Sequence, residues 1–96
     1  MSNDRIVTVS VQVLPLTDDP IPVVDKAIAA IQATGIKHMV TPMETVLEGT
    51  LDDCLHAAKQ AHLACYEGGA QRAVSFIKIA DALEGSTIDD KLAKYR

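Results

Sequence analysis

The chain has 96 residues, of which 48% are hydrophobic and 23% are charged, and its formal net charge is −4. This size and composition are typical of one globular domain, expected over residues 1–96, and argue against a disordered chain. The acidic balance and the 3% of aromatic residues argue against a nucleic-acid partner, which needs a basic surface and rings for stacking.

The first predicted element is a strand from Ile6 to Leu14 that stops at Pro15. Its side chains alternate strictly between apolar and polar, which is the pattern of a strand with one buried face. The buried face carries Val7, Val9, Val11 and Val13. The open face carries Thr8, Ser10 and Gln12.

A helix and a hairpin follow this strand. The helix is expected to begin near Pro22, where the missing N–H costs nothing, and to end at Gly35. Short strands are predicted over Lys37–Thr41 and Glu44–Gly49. The connection through Pro42 is so short that the two strands should form a hairpin.

The second half of the chain repeats the helix-strand order. Thr50 begins a capping-box-like start of a helix that ends at Gly68. A fourth strand over Arg72–Ala80 and a short helix after Thr87 complete the pattern. The order β-α-β-β-α-β predicts a ferredoxin-like α+β fold, with an antiparallel sheet of strand order 4-1-3-2, two helices on one face and a short C-terminal helix.

The predicted core lies between the sheet and the two helices that cover one of its faces. From the second helix it contains Leu51, Leu55, Ala58, Ala61 and Cys65. From the other elements it contains Val9, Val11, Ile28, Ile31 and Ile77.

The sequence argues against a membrane or an export route. No apolar run approaches the roughly 20 residues that span a bilayer, and the N-terminus lacks the features of a signal peptide. Cys54 and Cys65 should lie about 16 Å apart in one helix, too far for a disulfide, and we expect buried reduced thiols. A cytoplasmic location is therefore expected.

The sheet face that the helices leave open mixes apolar and polar side chains. We expect Glu48 and Lys78 to flank Thr8 and Ser10 in one cross-strand row, with Gln12 farther along near Glu44. Val46, Val74 and Phe76 should share this face, which is too apolar to remain in water. Two interpretations stay open, namely a plain dimer interface with a Glu48–Lys78 ion pair and a ligand pocket walled by that interface.

Three stretches carry a resemblance to a known family. They are Thr-Pro-Met-Glu-Thr-Val-Leu-Glu-Gly from Thr41 to Gly49, Lys59-Gln60-Ala61-His62, and Gly69-Ala70-Gln71-Arg72. With Val13-Leu14-Pro15-Leu16 and Ile77-Lys78-Ile79, the chain resembles the thiamine-binding-protein family over nearly its whole length. The resemblance implies a homotetramer of sheet-to-sheet dimers that binds thiamine or its hydroxymethylpyrimidine moiety. Glu44 and Met39 depart from the family pattern, where a small and a polar residue are usual.

The predicted ligand-binding residues are Ser10, Gln12, Thr45, Glu48 and Lys78. Glu48 would balance the fixed positive charge of a thiazolium ring, while Gln12 and Ser10 would match the donor and acceptors of the aminopyrimidine. The prediction is a non-catalytic binding protein that uses no cofactor, and its alternative is a structural or regulatory subunit.

A metal site or a catalytic site finds little support in the sequence. His38, His56 and His62 have no metal-ligand spacing. His62 and Cys65 are neighbours on a helix and could form a nucleophile pair, but no orienting Asn or Asp is evident. The remaining enzyme alternative is a cofactor-independent oxygenase or isomerase of the dimeric α+β barrel type, with His62 as its base.

Overall fold

A computed structural model describes residues 4–83, in which four strands and two helices follow one another in the predicted order. The strands are β1 (Val7–Pro15), β2 (Lys37–Val40), β3 (Thr45–Gly49) and β4 (Ala73–Ala80). The helices are α1 (Pro20–Thr34) and α2 (Leu51–Glu67). The helix that we predicted after Thr87 lies outside the described residues.

The four strands form one antiparallel sheet of order β2-β3-β1-β4. This is the predicted order read from the other edge, so the prediction of an α+β fold of this topology is confirmed. The central strand β1 places Val9 opposite Leu47 of β3 and opposite Ile79 of β4. Residues of one face therefore line up across the sheet as the alternation predicted.

The prediction that β1 stops before Pro15 is wrong by one residue. The N–H of Leu16 donates to the carbonyl of Arg72 at 2.9 Å, which means that even-numbered residues of β1 bond to β4. Pro15 is odd-numbered, so its backbone nitrogen and carbonyl point away from β4. Its missing N–H therefore removes no bond to β4.

Both helices begin and end where local chemistry allows. Helix α1 starts at Pro20, two residues before the prediction, because prolines in a first turn lose no helical hydrogen bond. It ends at Gly35, whose φ of 76° is in the left-handed region. Helix α2 is capped by Thr50, whose hydroxyl accepts a hydrogen bond of 3.2 Å from the N–H of Asp53.

The core lies between the sheet and the two helices. Its buried members are Val7, Val9, Val11, Val23, Ala27, Ile31, Leu47, Cys54, Ala57, Ala58, Ala61, Cys65 and Ala70. Of the predicted core residues, Val9, Val11, Ile31, Ala58, Ala61 and Cys65 are confirmed. Ile28 and Leu51 are only partly buried.

Two predicted core residues are exposed. Leu55 is 38% exposed because the face of α2 that meets the sheet is centred on small residues such as Cys54 and Ala58. Ile77 is 44% exposed although it points to the helix side, because β4 is the outermost strand of the sheet. Within residues 4–83, no helix combines the length and apolar character needed to cross a membrane.

Candidate functional site

The open face of the sheet carries two successive rows of polar side chains. Thr8 lies opposite Glu48, and Ser10 lies between Val46 and Lys78. Glu48 and Lys78 thus flank the two hydroxyl residues, but in neighbouring rows rather than in the single row that we expected. Glu48 is buried, and so are both hydroxyl residues. In the part of the chain that the structure describes, neither hydroxyl oxygen has a hydrogen-bond partner.

Among residues 4–83, two ion pairs join charged side chains of this face. Glu48 Oε2 lies 2.7 Å from Lys37 Nζ, and Glu44 Oε2 lies 3.2 Å from Lys78 Nζ. Within one chain Glu48 thus pairs with Lys37 and not with Lys78, and a Glu48–Lys78 pair across a dimer interface stays a prediction. Lys37 lies directly opposite Glu48 in the pairing of β2 with β3, whereas β1 separates Lys78 from Glu48.

A notch interrupts the sheet beside the last residues of β1. The pairing of β1 with β3 stops at Val11, opposite Thr45, while its pairing with β4 continues to Pro15. Helix α1 covers the notch and leaves a cavity of about 200 Å³. Its apolar lining includes Val11, Val13, Val24, Ala27, Ile28 and Ile31. Its polar lining comprises Gln12, Thr41, Glu44 and Thr45.

The main chain of Val13 faces this notch. Because the even-numbered residues of β1 bond to β4, the N–H and C=O of Val13 point to the side of β3. The register would place Met43 opposite Val13, but β3 begins only at Thr45. Among the described strands, none pairs with Val13 on that side. A main-chain donor and a main-chain acceptor are thus directed side by side toward the notch.

The rim of the cavity is fixed by the turn between β2 and β3. The Thr41 hydroxyl donates to the carbonyl of Glu44 at 2.5 Å and accepts from the Glu44 N–H at 3.1 Å. The Thr41 N–H also donates to the Glu44 carbonyl at 2.9 Å. These three bonds hold the backbone of Glu44 at the edge of the notch.

The structure divides the predicted site residues into two groups. Gln12 and Thr45 line the cavity, whereas Ser10, Glu48 and Lys78 lie on the neighbouring open face. Glu48 is four residues from Glu44 along the chain, which corresponds to about 13 Å in extended backbone.

Glu44 lines the cavity but was not among the predicted ligand-binding residues. Its expected position near Gln12 was the signal that could have identified it. If the register of the Val11–Thr45 pair is extended by one residue, Gln12 and Glu44 lie opposite each other.

The His62 region does not form an activated nucleophile with Cys65. His62 Nδ1 lies 2.5 Å from the hydroxyl of Ser75, and its ring meets that of Tyr66 edge to face at 5.6 Å. The Cys65 thiol donates to the carbonyl of Ala61, and burial raises its pKa, so the sulfur is protonated at neutral pH.

Cys54 is likewise a protonated thiol, because burial raises its pKa to about 11. His38 uses Nδ1 to bond the carbonyl of Ile36 at 2.8 Å. Within residues 4–83, no group of three or more His, Cys, Asp or Glu side chains is arranged to hold a metal ion.

Comparison with known proteins connects this fold to one family. The family model described as thiamine-binding protein matches residues 9–96. A UPF0045 protein of Clostridium perfringens is 46% identical over 90 residues, which cover 92% of this chain and 95% of the relative.

Solved structures give the same result. A domain of unknown function, DUF77, from Bacillus cereus superposes with a TM-score of 0.91 at 44% identity, covering 97% of this chain and 92% of that one. A putative thiamine biosynthesis/salvage protein from Thermotoga maritima gives a TM-score of 0.84 at 33% identity, covering 95% and 99%. The resemblance expected from the sequence is therefore confirmed, and the chain belongs to the thiamine-binding protein family.

Proposed function

We propose that this protein is a non-catalytic binding protein for thiamine or its hydroxymethylpyrimidine moiety, and that it completes its site by assembling with copies of itself. The observation that carries the proposal is the cavity at the notch. It combines apolar walls with the main-chain donor and acceptor of Val13 and with the side chains of Gln12 and Thr45. The family's name and the description of the Thermotoga maritima relative support the same ligand class.

The chemistry of an aminopyrimidine suits this cavity. Its exocyclic amino group donates beside a ring nitrogen that accepts, so the ring can form two parallel hydrogen bonds with the N–H and C=O of Val13. Side chains such as Ile31 and Ala27 would pack against the ring face. A volume of about 200 Å³ suits one small ring and is small for a larger ligand. The rest of thiamine would therefore emerge toward the open face.

The open face supports assembly with a second copy. It exposes Leu14, Met39, Val74 and Phe76, an apolar surface that favours burial. The hydroxyls of Thr8 and Ser10 are buried beside it, and partners from a second copy or a ligand would satisfy them. A single domain over residues 1–96 would pair sheet to sheet, and two such pairs would form the tetramer.

The alternative is a structural or regulatory subunit that assembles through the same face and binds no small molecule. The exposed apolar residues favour this alternative equally. The cavity distinguishes the two functions, because assembly alone does not require it.

Calorimetric titration with thiamine and with hydroxymethylpyrimidine tests the binding function. We expect one binding event per chain. Thr45→Val, which removes a hydroxyl at nearly constant volume, should weaken binding by roughly 2- to 13-fold, the cost of one hydrogen bond. The control is Thr17→Val, because Thr17 is exposed and outside the cavity. No binding of either ligand to a stable oligomer would favour the structural subunit instead.

Glu48→Gln tests whether the site extends over the open face. Since Glu48 is buried, its charge should attract a cationic ligand strongly, and the substitution should weaken thiamine binding by roughly 10- to 150-fold. The side chain of Lys37, its present partner, is 60% exposed and can be solvated when a ligand replaces it.

The matched control for this variant is Glu67→Gln, which removes the same charge at the exposed end of α2. The mass of the assembly should be measured in the same buffer. Unchanged affinity in Glu48→Gln would confine the site to the cavity, and a loss of assembly without a loss of binding would make Glu48 an interface residue.

A further inference from the structure

Among the described residues that line the cavity, Glu44 is the one that carries a carboxylate. We propose that Glu44, paired with Lys78, selects the charge of the ligand: the cavity accepts ligands whose group at the rim is cationic or neutral and rejects those that carry a phosphate there. This inference rests on the proposed function, because it assumes that the cavity holds the ligand ring.

The position of Glu44 favours an electrostatic role. Its side chain is 22% exposed, so its charge is less screened than that of a surface carboxylate. Three hydrogen bonds to Thr41 fix its backbone at the notch, which limits how far the carboxylate can withdraw. A ligand ring bonded to Val13 would direct its substituent out of the cavity past Glu44 and Gln12.

Lys78 pairs with Glu44 but is not among the described residues that line the cavity. It lies on β4, and its ammonium reaches across β1 to Glu44 at 3.2 Å, with 71% of the side chain exposed. So exposed an ion pair contributes little, and the ammonium can return to water at small cost. A cationic ligand group can therefore take its place beside the carboxylate.

A phosphate at the same position is repelled by the carboxylate. It carries one to two negative charges and would have to approach the Glu44 carboxylate, and juxtaposed like charges are costly. Lys78 offsets part of this repulsion. Among the described residues, the nearest other ion pair of the face is Lys37–Glu48, and its carboxylate is four residues from Glu44 along the chain.

Hydroxymethylpyrimidine and its phosphate ester are the matched probes, since they differ only in the group at the rim. Calorimetry should show that the wild-type protein binds the alcohol at least roughly 10-fold more tightly than the ester. Glu44→Gln should reduce this preference to about 3-fold or less, mainly because the ester binds more tightly. The same variant should bind thiamine more weakly than the wild-type protein does. Lys78→Gln should increase the preference, because it leaves the carboxylate without its partner.

The two variants are expected to change the preference for the alcohol in opposite directions, and this distinguishes charge selection by Glu44 from a purely structural role of the ion pair. If the ion pair only stabilised the fold, both variants would lower the unfolding temperature and change binding of the two probes alike, which would overturn the inference. An unchanged preference in Glu44→Gln would also overturn it while leaving the proposed function intact. Absence of hydroxymethylpyrimidine binding to the wild-type protein would overturn the proposed function and the inference together.

Discussion

Leu47→Ala is expected to lower the free energy of unfolding by about 2–5 kcal/mol, the range for truncating a buried leucine. Leu47 is fully buried in the central part of the sheet, opposite Val9 and next to the helices. The substitution removes apolar burial and leaves a cavity that the surrounding strands cannot close. Urea denaturation monitored by circular dichroism measures the change.

The control for this variant is Leu55→Ala, which removes the same atoms from a side chain that is 38% exposed. We expect it to cost about 1 kcal/mol or less. All proteins should be compared at one chain concentration, because the stability of an oligomer depends on it. Equal losses in the two variants would show that Leu55 is buried in the assembled protein.

Val74→Glu is expected to convert the assembly into monomers at micromolar concentration. Val74 is exposed on the apolar open face beside Leu14, where the proposal places a second copy. Burying an uncompensated carboxylate there should cost about 3–5 kcal/mol at each interface. Light scattering coupled to size exclusion measures the mass of the wild-type protein and of the variant.

Ile21→Glu is the matched control for the assembly. Ile21 is more exposed than Val74. It lies in the first turn of α1, where a carboxylate is favourable. It should leave the mass unchanged. A monomeric wild-type protein at this concentration, or a Val74→Glu variant of unaltered mass, would contradict assembly through the open face.

Most of the fold could be predicted because several local signals agree. The alternation in β1 defines both faces of the central strand, and the short connection after β2 requires a hairpin. Gly35 defines the end of α1, and capping by Thr50 defines the start of α2. Such consistency between neighbouring elements leaves few alternative topologies.

The errors concern properties that depend on the relative position of two elements. The rows in which Glu48 and Lys78 lie depend on the registers of β3 and β4 against β1, which alternation does not determine. The exposure of Leu55 and Ile77 depends on how far α2 extends over the sheet. Periodicity identifies an apolar side chain but does not show whether another element covers it.

The cavity could not be predicted for a similar reason. It exists because β3 begins beside Val11 while β1 continues to Pro15, and because α1 passes over the gap. The contribution of Val13 is invisible in the sequence, since it comes from the main chain and not from the side chain.

The main-chain donor and acceptor of Val13 that face the notch have a consequence for how such a site evolves. Substituting a side chain cannot remove the N–H and C=O that face the notch, except by proline, so mutation leaves this pair of hydrogen-bonding groups in place. Gln12 and Glu44, in contrast, contact the ligand's substituent through their side chains in the proposed complex. If the proposed function holds, descendants of one ancestor can therefore diverge in the substituent they accept while they keep the same heterocycle.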